Sequence, residues 1–83
     1  MSSTREADND YRDIAIAIGP ETRIINCKDG LQWIVQTRRG GRWRPDGFWR
    51  WRDPMLSRLK ARPELTLSRE AETAIKALPA KHP

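Results

Sequence analysis

The chain is predicted to fold as an α+β domain: a three- or four-stranded antiparallel β-meander packed with one or two C-terminal helices. Three observations predict it. Two reversal signals, Asp29-Gly30 and Gly40-Gly41, separate runs rich in β-branched and aromatic residues. The segment DIAIAI before Gly19 alternates isoleucine with alanine at the two-residue period of a strand. After Asp53 that period is lost, and apolar residues recur three and four apart, as on a helix. Eighty-three residues hold one domain at most, read as a disordered tail (1–12), a folded unit (13–78) and a frayed end (79–83).

Met1 to Tyr11 is polar and without periodicity, which predicts disorder. Asp13–Ile18 predicts a strand burying Ile14, Ile16 and Ile18, stopped by Gly19-Pro20. Thr22–Cys27 and Leu31–Arg39 flank Asp29-Gly30, and a two-residue turn there sets Ile24 opposite Val35, Ile25 opposite Ile34 and Asn26 opposite Trp33. Ile24, Leu31, Trp33 and Val35 then share the core face, with Gln32, Ile34, Gln36 and Arg38 on a mostly polar one.

The chain turns again at Gly40-Gly41, and the returning strand is interrupted at Pro45-Asp46-Gly47, where a bulge or loop is expected. Phe48–Arg52 resumes the alternation, with Trp49 and Trp51 on one side. Asp53-Pro54 reads as N-cap and first helical residue, Met55, Leu56 and Leu59 as the buried edge, and Pro63 as the stop. Leu67–Leu78 forms a second helix, capped by Ser68 and burying Leu67, Ala71, Ala74, Ile75 and Leu78, with Glu72 and Lys76 paired one turn apart.

Charge is distributed unevenly. Residues 38–62 hold nine basic residues against Asp46 and Asp53, whereas residues 1–22 hold two basic and five acidic ones. All four tryptophans and the only phenylalanine fall within Leu31–Arg52, interleaved with arginines. Guanidinium groups match phosphate or carboxylate with forked donors, and indoles offer flat apolar faces. The candidate nucleic-acid contacts are Arg38, Arg39, Arg42, Arg44, Arg50, Arg52, Gln32 and Gln36, with Trp43, Trp49 and Trp51 as stacking or interface residues.

Catalytic and metal-binding chemistry has little to stand on. The single histidine, His82, lies in the predicted frayed end, and Cys27 stands alone in a strand as a small hydrophobe would. No cysteine zinc site and no phosphate-cradling glycine motif occurs, so no cofactor is expected. A lone cysteine fits a reducing compartment, the cytoplasm, and no run reaches the length of a membrane span.

A hairpin, a third strand ending in an aromatic-basic run and then a helix resemble the arm-type DNA-binding domain of tyrosine integrases. The likeness covers Arg23–Arg62, with Trp33 in the middle strand and Phe48 just before the helix. It implies a sheet face turned away from the helix and inserted into a DNA groove, with Gln32, Gln36, Arg38 and Arg44 facing the groove. The DIAIAI segment and the second helix depart from that family's pattern. The stretch QWIVQTRRGGRWR is also similar to small uncharacterised proteins of bacterial mobile elements, which implies a phage, plasmid or integrative-element setting. Two functions follow as expectations. One is binding of DNA or RNA through the arginine-rich hairpin. The other is a mobile-element protein that inhibits or redirects an acidic protein partner through the same tryptophan-arginine surface.

Overall fold

The computed structural model describes residues 4–83. Four strands, β1 (Ile14–Ala17), β2 (Thr22–Asn26), β3 (Trp33–Arg39) and β4 (Arg42–Trp49), form one antiparallel meander in the order β1-β2-β3-β4, followed by helices α1 (Arg52–Lys60) and α2 (Arg69–Lys76). Ile24 pairs with Val35, Ile25 with Ile34 and Asn26 with Trp33, the register the sequence predicts. The turn that produces it is different. Among the described residues no non-glycine residue has positive φ, so Asp29 does not occupy a type I′ position. The Gly30 N–H donates to the Cys27 carbonyl at 2.9 Å and the Cys27 N–H to Gln32 at 2.9 Å, leaving residues 28–31 as the loop. Lengthening the loop by one residue on each side preserves the pairing but removes Leu31 from the ladder. Leu31 is therefore 56% exposed rather than part of the core.

At the second reversal Gly40 (φ 60°) and Gly41 (φ 78°) both take the left-handed conformation that a two-residue hairpin turn requires, and Arg39 pairs directly with Arg42. Farther along, Gln36 pairs with Pro45 but Val35 with Gly47, so Asp46 is the extra residue of a bulge. Hydrogen-bonded and open pairs alternate from Arg39↔Arg42, which makes Gln36↔Pro45 an open pair. The donor that proline lacks would have pointed off the outer edge of β4, where none is needed. The strand ends at Trp49 instead of continuing to Arg52. A second irregularity lies in β1: Ile14 pairs with Ile25 and Ile16 with Ile24, so Ala15 is extra. Ile16 is buried and Ile18 packs on the core, but Ile14 is turned to the other face and is 40% exposed, contrary to the single buried stripe predicted.

The main core joins Ile16, Ile24, Trp33 and Val35 from the sheet to Met55, Leu56 and Leu59 of α1 and Ile75 of α2. Helix α1 starts two residues earlier than the Asp53-Pro54 signal implies. Trp51 takes the N-cap position with extended backbone and no side-chain bond, and Asp53 sits in the first turn, where its charge favours the dipole. Ser68 caps α2 as predicted, its Oγ accepting from the Ala71 N–H at 3.1 Å. Glu72 is held by Lys76 and by Lys60 of α1, both at 3.2 Å. Hydrogen bonds from Lys76 and Lys60 and their charges keep its carboxyl below the ordinary glutamate range.

The other sheet face is also covered, and this corrects the reading of residues 1–12 as a disordered tail. Residues 1–3 lie outside the described residues. Residues 4–12 form a strap, with the Tyr11 ring closing a second cluster with Ile25, Cys27 and Ile34, and its hydroxyl donating to the Asn26 carbonyl at 2.8 Å. Ile34, assigned to a mostly polar face, is buried there. The predicted frayed end is ordered as well. Lys81 bridges Trp51, the Arg52 N–H donates to the Ala80 carbonyl at 2.9 Å, and the His82 N–H donates to the Arg50 carbonyl at 2.7 Å. The His82 ring meets Trp33 edge-on at 4.9 Å and Asn26 Oδ1 at 3.0 Å, so its orientation is set by the fold.

Candidate nucleic-acid interface

Strand alternation decides where the arginines point. Arg39 and Arg42 face each other across the turn, and Arg44 lies opposite Thr37, all on the face that carries the helices. Arg38 lies opposite Trp43, on the strap face. The four cations therefore share a hairpin tip but divide three to one between its faces. Arg38, Arg39, Arg42, Arg44 and Arg50 are exposed. None makes a side-chain hydrogen bond or an ion pair among the described residues.

Three of the expected contact residues have structural work instead. Gln36 is 2% exposed: its Oε1 accepts from Arg23 Nε at 2.7 Å, and its Nε2 donates to the Glu6 carbonyl at 2.9 Å. Trp43 is buried beneath the Arg23 guanidinium, 4.2 Å from its ring centroid, and its Nε1 donates to Asn9 Oδ1 at 3.1 Å. Arg52 donates to the carbonyls of Lys76 (3.2 Å) and Leu78 (2.8 Å) and pairs with Asp53 at 2.9 Å, closing the C-terminal end of α2. Gln32 is half-buried beside the first loop, at the opposite end of the sheet from Gly40-Gly41. The face that the integrase resemblance would send into a groove is thus occupied by residues 4–12 around Arg23 and Gln36. Among the aromatics, Phe48 and Trp51 are more than half exposed, while Trp49 is half-buried against the main core.

Between the second hairpin and the end of α1 runs a groove of about 480 Å³ lined by Arg39, Asp46, Trp49, Arg58, Arg62 and Glu64. The β4 bulge places Asp46 at its wall, where the carboxylate accepts from Arg62 at 2.5 Å and from Thr37 Oγ1 at 3.0 Å. Partial burial alone would raise the Asp46 pKa. The bonds from Thr37 and Arg62, with the charges of Arg62 and Arg39, outweigh burial and hold it below the ordinary aspartate range. Gly47 has a specific purpose beside it: a Cβ there would lie 2.7 Å from Trp49 Nε1, so only glycine lets the indole fold back along β4. Arg58 and Arg62 are absent from the sequence-predicted site. Their spacing of four residues on α1 was the available signal, but only the packing of α1 beside β4 brings them to Arg39.

Among the described residues no group of three or more His, Cys, Asp or Glu side chains could hold a metal ion, and no helix is long and apolar enough to cross a membrane. Cys27 is buried, its Sγ 3.2 Å from the Leu31 N–H. Comparison with protein-family models, with curated proteins and with solved structures finds no match.

Proposed function

We propose that this protein binds nucleic acid, with the phosphates contacted by the tip of the second hairpin. One observation carries the reading: Arg39 and Arg42 stand directly opposite each other across Gly40-Gly41, with Arg44 on the same face and no acid bonded to any of them among the described residues. Like charges placed opposite each other on a sheet repel, and a bound polyanion relieves that repulsion. Arg38 and Arg50 supply positive charge around that face. Such contacts bind phosphate regardless of sequence, with aromatic support from Trp49 and Trp51. No catalytic step is assigned; the protein acts as a binder, in the cytoplasm of a cell carrying a phage or other mobile element.

A second reading has its own observation. Phe48 and Trp51 are 57% and 54% exposed and flank Arg50, a combination found at protein interface hot spots. An acidic protein surface met there would make the chain an inhibitor or redirector of that partner. Fluorescence anisotropy of labelled duplex and single-stranded DNA at low and at near-physiological salt tests the first reading. Binding that weakens steeply with salt supports it, and a folded protein that binds neither strand form at low salt moves the assignment to the protein partner.

A further inference from the structure

We infer that the groove between the second hairpin and α1 accepts one unstacked nucleotide, so that the preferred ligand of the proposed interface is single-stranded nucleic acid. The inference rests on the nucleic-acid reading and narrows it. The groove's volume of about 480 Å³ falls in the range of roughly 300–1,000 Å³ usual for small-ligand sites. Besides the carboxylates of Asp46, which is bonded to Arg62, and Glu64, its walls are of two kinds. Trp49 and Pro63 are flat and apolar, suited to the face of a base, while Arg39 and Arg58 are cations that make no side-chain hydrogen bond or ion pair among the described residues. Arg62 differs from them because Asp46 and Thr37 hold the local network fixed, which leaves it as a support rather than a phosphate contact. Trp49 is anchored against the core and kept in place by the absence of a side chain at Gly47, so the stacking surface is preorganised.

Geometry then separates the two strand forms. A duplex keeps its bases stacked inside and offers a lateral groove only its phosphates. A single strand can turn a base outward, stack it on an indole and lay the adjoining phosphate on nearby guanidiniums. Arg39 is shared between the hairpin tip and the groove, so a strand running along the tip passes the groove mouth.

The test titrates a labelled 12-nucleotide single strand and the matching duplex with wild type, Arg58→Ala, Trp49→Leu and, as a control outside the groove, Arg50→Ala. Arg58 is exposed on a helix where alanine is favourable, and leucine keeps an apolar side chain against the core at position 49 while removing the aromatic face. Arg58→Ala and Trp49→Leu are each expected to weaken single-strand binding about five- to tenfold, as removal of one stacking or phosphate interaction should, while duplex binding changes less than about twofold. Arg50→Ala should alter both forms alike. If the wild type binds neither form, the proposed function and the groove both fail. If both forms bind but the two groove variants leave them unchanged, or lower them together, the groove alone is overturned. Displacement of the single strand by a glutamate-rich peptide at equal charge would reassign the groove to an acidic protein segment and also overturn the nucleotide.

Discussion

The Arg23 guanidinium lies 4.2 Å over the Trp43 ring, on the sheet face opposite the helices, and that pair holds the N-terminal strap in place. Arg23 is 2% exposed. Its Nη1 donates to the Asn9 carbonyl at 3.1 Å and its Nη2 to those of Glu6 (2.9 Å) and Asp8 (2.8 Å), while Nε is taken by Gln36. Burial lowers its pKa from the ordinary arginine value, with partial compensation from Tyr11, but a guanidinium stays charged and meets its need for acceptors from strap carbonyls.

Replacing Arg23 with alanine should therefore cost about 2–4 kcal/mol, since charged hydrogen bonds are worth roughly 1.5–3 kcal/mol each but the strap carbonyls can turn to water. Hydrogen exchange should show the loss concentrated in residues 4–12, with the β2–β3 ladder largely protected. Arg23→Lys should restore only part of the stability, because an ammonium lacks the planar fork. Uniform loss of protection across the whole chain would contradict the strap.

Trp33 tests the main core. It is 1% exposed, packed among Ile24, Val35, Met55 and Leu59 and touched edge-on by His82. Trp33→Ala should lower the unfolding free energy by about 3–5 kcal/mol in urea titrations, the usual cost of deleting a buried large aromatic.

Gly47→Ala should be destabilising out of proportion to one methyl group, because the added Cβ would fall 2.7 Å from Trp49 Nε1 and the indole must move. A loss of about 1–3 kcal/mol is expected, as for other overpacking changes, together with a shift in tryptophan emission. An unchanged spectrum at unchanged stability would mean that Trp49 is not held against β4.

Asp46 gives a pH dependence whose sign follows from its neighbours. Its folded pKa is depressed, so its contribution to stability is fully present above the unfolded aspartate value of about 3.9 and is lost as pH falls through the lower folded value. Asp46→Asn should flatten the acid side of a Tm-against-pH curve below about pH 4 and leave the neutral region nearly level. The effect is small, because the Asp46 side chain is 45% exposed.

These residues also show what the sequence could and could not convey. The paired glycines of the second turn, the bulge at Asp46 and the Ser68 cap were legible, because turn geometry and capping are local and depend on residue type. The β2–β3 register agrees as well, but through a four-residue loop in place of the two-residue turn expected at Asp29-Gly30. The strap was not. Residues 4–12 are held mainly through backbone carbonyls, which every sequence possesses, and by an arginine indistinguishable in the sequence from an exposed one. The same blindness placed Gln36 and Trp43 in the binding set, since their burial depends on the strap. The C-terminal pairing of Lys81 and His82 with Trp51 and Arg50 is likewise long-range, with no periodic pattern to announce it. Of the site itself, the hairpin arginines were legible from the Gly40-Gly41 reversal, but their division between faces and the approach of Arg58 required the packed structure.

The most direct test of the proposed interface is the salt dependence of DNA binding by the double variant Arg39→Ala, Arg42→Ala beside the wild type. Both residues are exposed and unpaired among the described residues, so the variant should remain folded, with each change within about 0.5 kcal/mol. Its affinity should fall at low salt, and the slope of log K against log salt should drop by about one unit for each phosphate that the variant no longer neutralises. A folded double variant with wild-type affinity and an unchanged slope would contradict the account.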